Sequence, residues 1–225
     1  LNLLRACALT LVLFAGALSA GCSGLFHSSA KAEQAYYLRA TATPAGTGQP
    51  LPVALRVAAP EAGPGLDTTR IMLVQSDHRM GFYSGSRWPS AAPKMVETLA
   101  VQTLRASGDW ASVQDAGSPF PSDYLLQLTL RRFEADYGSG AAAPEVHVVL
   151  DAVLGRRDVN DVVASFEVSG AQAAGENRMG AVVAAFEQAT NSALAALAQQ
   201  AAAAARAQAQ PAGQNAVKPV PSSSR

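Results

Sequence analysis

Only two cysteines occur in the 225 residues, Cys7 and Cys22. So few exclude a disulfide framework and any zinc site built from several thiolates. Neither sign of charge dominates, with 17 basic against 17 acidic residues and no block of like charge. Nucleic-acid binding needs a basic stripe, so it is excluded as a function class, and so is a polybasic membrane patch. No apolar run reaches the roughly 20 residues of a membrane-spanning helix. The sequence also lacks G-x-S-x-G, H-E-x-x-H, a phosphate-binding loop and C-x-x-C. The histidines are His27, His78 and His147. His147 falls on the polar side of a strand pattern with Asp151 four residues on, too far along a strand to touch. Ser84, Ser86 and Ser139 sit in Gly/Ser contexts without a base beside them in sequence. Expectations are therefore no catalytic residue, no metal site and no enzyme.

What is present begins at the N-terminus. Arg5 is followed by a mostly apolar run from Ala6 to Leu18, then by small residues Ser19-Ala20-Gly21 ahead of Cys22. A basic start, a short apolar run and a small-residue exit predict a secretory signal peptide over residues 1–21. The exit resembles the lipobox of bacterial lipoproteins, although Leu18 stands one place early and Ser19 fills its usual slot. That resemblance implies a diacylglycerol thioether on Cys22, cleavage before it and acylation of the new amine, with palmitate-class chains as the covalent lipid and no other cofactor. An ordinary signal peptide with an incidental cysteine is the alternative. Once residues 1–21 are gone Cys22 is the one cysteine left, and an exported chain with one leftover thiol needs such an explanation. Ser23, rather than Asp, follows it, which by analogy with enteric sorting favours the outer membrane, facing the periplasm.

Residues 22–33 read as the lipidated cysteine and a flexible tether, 34–200 as one folded domain, and 201–225 as an Ala/Pro/Ser-rich tail, with 211–225 disordered. Within the domain, alternation predicts strands over 34–39, 53–58 and 71–74, with a hairpin return at 80–83. A helix should start near Pro93 and end at Gly108, with Val96, Leu99, Ala100, Thr103 and Leu104 on one face. Strands over 124–130, 145–154 and 162–168 form an antiparallel meander, with a bulge at Arg131-Arg132-Phe133 where the alternation breaks. A second helix runs from about Asn177 with Met179, Val182, Val183, Phe186, Leu194 and Leu197 as its stripe. Beyond Gln199 it has little to pack. The fold class expected is α+β, an antiparallel sheet with two helices on one face.

Phe82, Tyr83, Arg87 and Trp88 form an aromatic–basic group between the hairpin and the first helix, near Arg79. Aromatic residues and arginine are the types that anchor interfaces, so these four are the candidate partner-binding residues. The competing reading is that Trp88 plugs the sheet-to-helix junction.

The ordered set of short patterns resembles the ABC-type transport auxiliary lipoproteins. A lipobox leads to Tyr36-Tyr37-Leu38 and then to a strand end from Val57 to Pro60. The stretch from Leu66 to Leu104 follows, holding Leu-Asp, an Arg-Ile strand, a Tyr-containing return and Trp before an amphipathic helix. A long strand ending in Phe133-Glu134 completes the set. Residues 88–93 (WPSAAP) lack the family's acidic residue after Trp, and the alanine tail is extra. The resemblance implies a periplasmic, outer-membrane-anchored lipoprotein with a binding and assembly role. Its implied partner is the mammalian-cell-entry-domain subunit of a transporter moving lipids or other hydrophobic compounds, with a homo-oligomer as a further association. The alternatives from other classes are a pilotin-like envelope chaperone and a lipoprotein esterase.

Overall fold

The computed structural model describes residues 33–41, 48–138 and 140–209. The signal peptide, Cys22, His27, nearly all of the tether, Ser139 and the 211–225 segment lie outside the described residues.

The architecture is organised by one long strand. In chain order the elements are β1 (Gln34–Ala35), β2 (Leu51–Val57), β3 (Glu61–Ala62), β4 (Arg70–Val74), β5 (Met80–Arg87), α1 (Ala92–Ala106), β6 (Trp110–Gln114), β7 (Tyr124–Asp136), β8 (Glu145–Arg156), β9 (Asp161–Ala173) and α2 (Met179–Ala209). β7 alternates as expected: Leu126, Leu128 and Leu130 are buried while Gln127 and Arg131 face solvent. The register slips between Leu130 and Arg132, so Phe133 and Ala135 take over the buried face. That is the bulge the broken alternation predicts.

One edge of β7 pairs antiparallel with β8 from end to end, and β8 pairs likewise with β9. The other edge is shared by three short strands laid one after another, β2 against Tyr124–Leu126, β3 against Thr129–Leu130 and β4 against Glu134–Asp136, all parallel. β6 extends the first lobe parallel to β2. β5 and then β1 extend the other, β5 antiparallel to β4 and β1 parallel to β5. The α+β class and the two helices hold, but the sheet is mixed rather than wholly antiparallel. Parallel neighbours require long connections, and here the chain between β2 and β7 supplies them with β3–β5, α1 and β6. β6, Trp110–Gln114, is a strand that the sequence pattern does not announce.

α1 starts at Ala92-Pro93 without a side-chain cap, buries Val96, Leu99, Ala100 and Leu104, and stops where Gly108 adopts φ 67°. A left-handed residue after the last turn is the usual terminator, and glycine takes it without cost. α2 buries Val182, Phe186, Ala189, Leu194 and Leu197 against β8 and β9. The expectation that the helix has little to pack beyond Gln199 is corrected. Ala201, Ala202 and Ala205 are at most 1% exposed, and Arg206 donates from Nη2 to Asp109 Oδ1 at 2.5 Å. Methyl side chains let the helix lie close to its support, so the alanine tract packs by proximity rather than by bulk. Earlier in the same helix the approach to β9 is tight at Gly170, where a Cβ would stand 2.0 Å from the carbonyl oxygen of Ala189.

At the centre, Trp88, Phe133 and Phe186 meet with ring centroids 5.8, 5.2 and 5.0 Å apart. This cluster joins the chain entering α1, the sheet and α2.

Candidate docking surface

Of the four residues expected to act together, the fold takes Trp88 from the surface. Trp88 is wholly buried between Phe133 and Phe186, its backbone N–H donating to Thr69 O at 2.7 Å. It is the plug of the sheet-to-helix junction, and the docking role expected for it is withdrawn. The reason is its position: at the junction between β5 and α1 its ring is buried against Phe133 of β7 and Phe186 of α2. Phe82 is half-buried beneath the Arg70 guanidinium, 3.8 Å from the ring centroid. The Tyr137 hydroxyl donates to Asn177 Oδ1 at 2.7 Å, leaving Tyr83 to donate to Tyr137 at 2.9 Å. Burial, with Tyr137 alongside, holds the Tyr83 hydroxyl well above the ordinary tyrosine range. Arg87 stays at the surface, 3.5 Å from Glu33 Oε2 and 3.3 Å from the Trp88 carbonyl it donates to. Phe82, Tyr83 and Arg87 thus each have a partner of their own, and Trp88 alone leaves the surface.

The predicted strand over 34–39 is shorter than expected, because its backbone groups turn to α2 instead of a strand. The Asn191 carboxamide accepts from Thr41 N–H at 2.8 Å and donates to Arg39 O at 2.9 Å, while Glu187 accepts from Arg39 N–H at 2.9 Å. Leu38 is buried beneath this strap.

Neither described histidine joins a catalytic or metal cluster. His78 occupies the β4–β5 turn with φ 63°, and His147 Nε2 lies 3.3 Å from Glu145 Oε2 on the outer side of β8. Among the described residues no group of three His, Cys, Asp or Glu side chains is placed to hold a metal ion, and no helix is long and apolar enough to cross a membrane.

A concave surface among the described residues lies elsewhere, at the end of the sheet where the β6–β7 loop meets the β8–β9 turn. Two clefts of about 480 and 360 Å3 share Arg157. The larger is walled by Pro119, Phe120 and Pro121, with Arg56 and Arg157 on its flanks. Phe120 is 69% exposed, and Val159 and Val162 are 58% and 59% exposed on the adjoining turn and strand. Three of the five large apolar side chains most exposed among the described residues thus gather at one end of the sheet.

The charges there balance, with Arg56, Arg156 and Arg157 against Asp123, Asp158 and Asp161. Asp158 accepts from Arg156, which holds its carboxyl below the usual carboxylate range, and Asp123 Oδ2 accepts from Ala54 N–H at 2.6 Å. The two flanking arginines make no ion pair among the described residues. Arg56 donates through Nη2 to Gln114 Oε1 at 3.1 Å and to the Phe120 carbonyl, while its buried Nε has no acceptor. Arg157 donates through Nη1 to Ser122 Oγ at 3.0 Å. Sequence reading passes over both because single arginines 101 positions apart carry no local pattern.

The fold has relatives. A crystal structure of a Xanthomonas campestris protein from the DUF330 family superposes with TM-score 0.73 at 29% identity, covering 78% of this chain and 98% of that one. A second crystal structure, of an uncharacterized protein, superposes with TM-score 0.56 at 16% identity, covering 79% and 99%, and shares the fold. No curated protein matches the chain. The model of the ABC-type transport auxiliary lipoprotein component matches residues 36–202, from the strap beneath which Leu38 is buried to the buried alanines of α2. With that span matched, the chain belongs to the family of ABC-type transport auxiliary lipoprotein components.

Proposed function

We propose that the protein is the outer-membrane-anchored auxiliary subunit of an ABC-type transporter whose substrate-binding component carries a mammalian-cell-entry domain. In this reading Cys22 bears the lipid and the folded domain works in the periplasm as a binding and assembly part, with no catalysis of its own. The cargo class is lipid or another hydrophobic compound. Self-association into a homo-oligomer belongs to the same proposal. The observation that carries it is the family match over residues 36–202, preceded in the same chain by small residues and Cys22. A thioether-linked diacylglycerol and an amide-linked acyl chain exceed the two signals that stable anchoring needs, at about 0.8 kcal/mol per buried CH2.

Two measurements test it. Labelled palmitate should enter the wild-type protein and not Cys22→Ser, and the variant should leave the outer-membrane fraction. A labelled or membrane-retained variant would remove the anchor from the proposal. A mammalian-cell-entry-domain subunit of the transporter should co-purify with the wild-type protein after mild solubilisation. Failure of that subunit to co-purify, under conditions that keep the transporter's other subunits together, would overturn the partner assignment.

A further inference from the structure

We infer that the outer edge of β9 is a docking site for an extended segment of another polypeptide, one whose apolar side chains alternate with polar ones around a lysine or arginine. Ala174 N–H donates to the Pro144 carbonyl at 2.9 Å, and Ala173 stands opposite Glu145 in the register of β9 on β8. Pro144 and Ala174 are therefore a hydrogen-bonded pair, and in an antiparallel ladder every second residue from there repeats it. The residues between, Ser165, Glu167, Ser169, Ala171 and Ala173, turn their N–H and C=O groups away from β8. All five are exposed, and β9 pairs with no strand but β8. Of these backbone groups only the Ala173 carbonyl has a partner among the described residues, the Gln172 carboxamide at 3.2 Å.

Sheet edges are ordinarily blunted, by shortness, proline, lysine or a bulge. β6 spans five residues, and Arg105 Nε donates to its Val113 carbonyl at 2.9 Å. β5 gives part of its edge to β1 and carries an irregularity that holds Gly85 at φ 67°. Between Ser165 and Ala173, β9 has no proline, no lysine and no register shift. Donors and acceptors that alternate along an extended line are matched by another extended backbone, which adds itself to the sheet as a strand.

Charge and packing select the side chains of the occupant. β9 holds two acids, Asp161 and Glu167, and no base. Glu167 stands opposite Asp151, whose cation Arg131 lies 3.5 Å away on the β7 side. Like charges directly opposite repel, and Glu167 makes no ion pair among the described residues. A cation set against the free side of Glu167 relieves both carboxylates. On the face that α2 covers, the added strand lies beside half-buried Phe166, so its residues there are apolar. A second copy's β9 does not suit the place. Laid antiparallel and centred on these residues, it would set both α2 helices on the same face. At Gly170 α2 meets the β9 backbone directly, so the two helices would stand one strand spacing apart, about 4.8 Å, where packed helices need about 8–10 Å.

The test uses the full-length lipoprotein in detergent and biolayer interferometry against the immobilised peptide Thr-Val-Thr-Val-Lys-Val-Thr-Val-Thr. The same peptide N-methylated at its threonines and lysine, which lacks the donors that would face β9, is the control. No transporter subunit is present, so failure here leaves the proposed function standing, and failure there leaves this edge standing. The unmodified peptide should bind at least about tenfold tighter than the methylated one. Glu167→Lys changes an exposed side chain and should weaken binding about fivefold or more while leaving the melting temperature in place. Amide exchange at Ser165, Glu167, Ser169 and Ala171 should slow at least about tenfold when the peptide is added. No binding of the unmodified peptide overturns the inference. So does equal affinity for the methylated peptide, unchanged affinity of Glu167→Lys, or exchange that slows elsewhere and not along this edge. Exchange already slow at those four amides in the lipoprotein alone would mean that its own chain or a second copy fills the edge, and overturns it as well.

Discussion

Gly170→Ala should destabilise the protein, although alanine in a strand is ordinarily the better residue by about 0.5–1 kcal/mol. The added Cβ would stand 2.0 Å from Ala189 O, 2.9 Å from Ala189 C and 3.2 Å from its Cα. These are backbone atoms of a helix interior and have no rotamer by which to escape. Contact distances for a real Cβ begin near 3.0 Å, so α2 must lift off β9 by at least about 1 Å. A gap of that size forfeits a quarter to a half of a dispersion contact. Val182, Phe186, Leu194 and Leu197 are all wholly buried on the stripe that would lift. With each worth about 2 kcal/mol by burial, the loss comes to roughly 2–4 kcal/mol. For a domain of this size that lowers Tm by about 5–15 °C. Circular dichroism melts of wild type and variant measure it, with Gly180→Ala as the control. Gly180 is exposed in the first turn of α2, and an added methyl there would meet nothing within 4 Å, so alanine should hold or raise Tm. A Gly170→Ala protein melting at or above wild type would refute the backbone-to-backbone contact.

Trp88→Ala should cost about 3–5 kcal/mol of folding stability in a denaturant titration, as expected for an emptied aromatic site between Phe133 and Phe186. Arg206→Ala strips a buried Asp109 of its cation and should cost about 1–3 kcal/mol, where the tract's helix propensity alone would predict no loss. Tyr83→Phe should cost about 1 kcal/mol at neutral pH by removing the bond to Tyr137. Because folding raises the Tyr83 pKa, the stability it contributes is complete below the unfolded value of about 10 and is lost as pH rises toward the folded value. Denaturation midpoints measured up to pH 11 should therefore fall more steeply for wild type than for Tyr83→Phe.

The elements that sequence patterning reveals are those with a strong period and local partners. The Leu126–Leu130 alternation, the bulge after it, the β7–β8–β9 meander and the α1 stripe all have that character. β6 escapes because its burial follows no two-residue period, Trp110 and Val113 being buried with two exposed residues between them. The parallel pairings escape because direction is decided between segments about 60–70 residues apart, such as Leu55 with Tyr124. The alanine tract misleads for another reason: hydrophobic bulk is the usual mark of a core, and here methyl side chains alone are buried at Ala201, Ala202 and Ala205. Trp88, grouped by composition with Phe82, Tyr83 and Arg87, is sorted from them only by its burial against Phe133 and Phe186.

Sharing one edge of β7 among β2, β3 and β4 also fixes the order in which the chain can assemble. Each of the three precedes β7 in sequence, and none has another strand of the first hundred residues to replace it, save the β4–β5 hairpin. Before residues 124–136 arrive, the N-terminal half can form only the β1–β5–β4 and β2–β6 pairings, with no strand to join them. Loop closure over such distances is slow beside the local β7–β8–β9 meander, which can form as hairpins. The meander, with α2 packed on β8 and β9, is thus the unit that needs nothing from the first half, whereas the two N-terminal lobes need β7 to become one sheet.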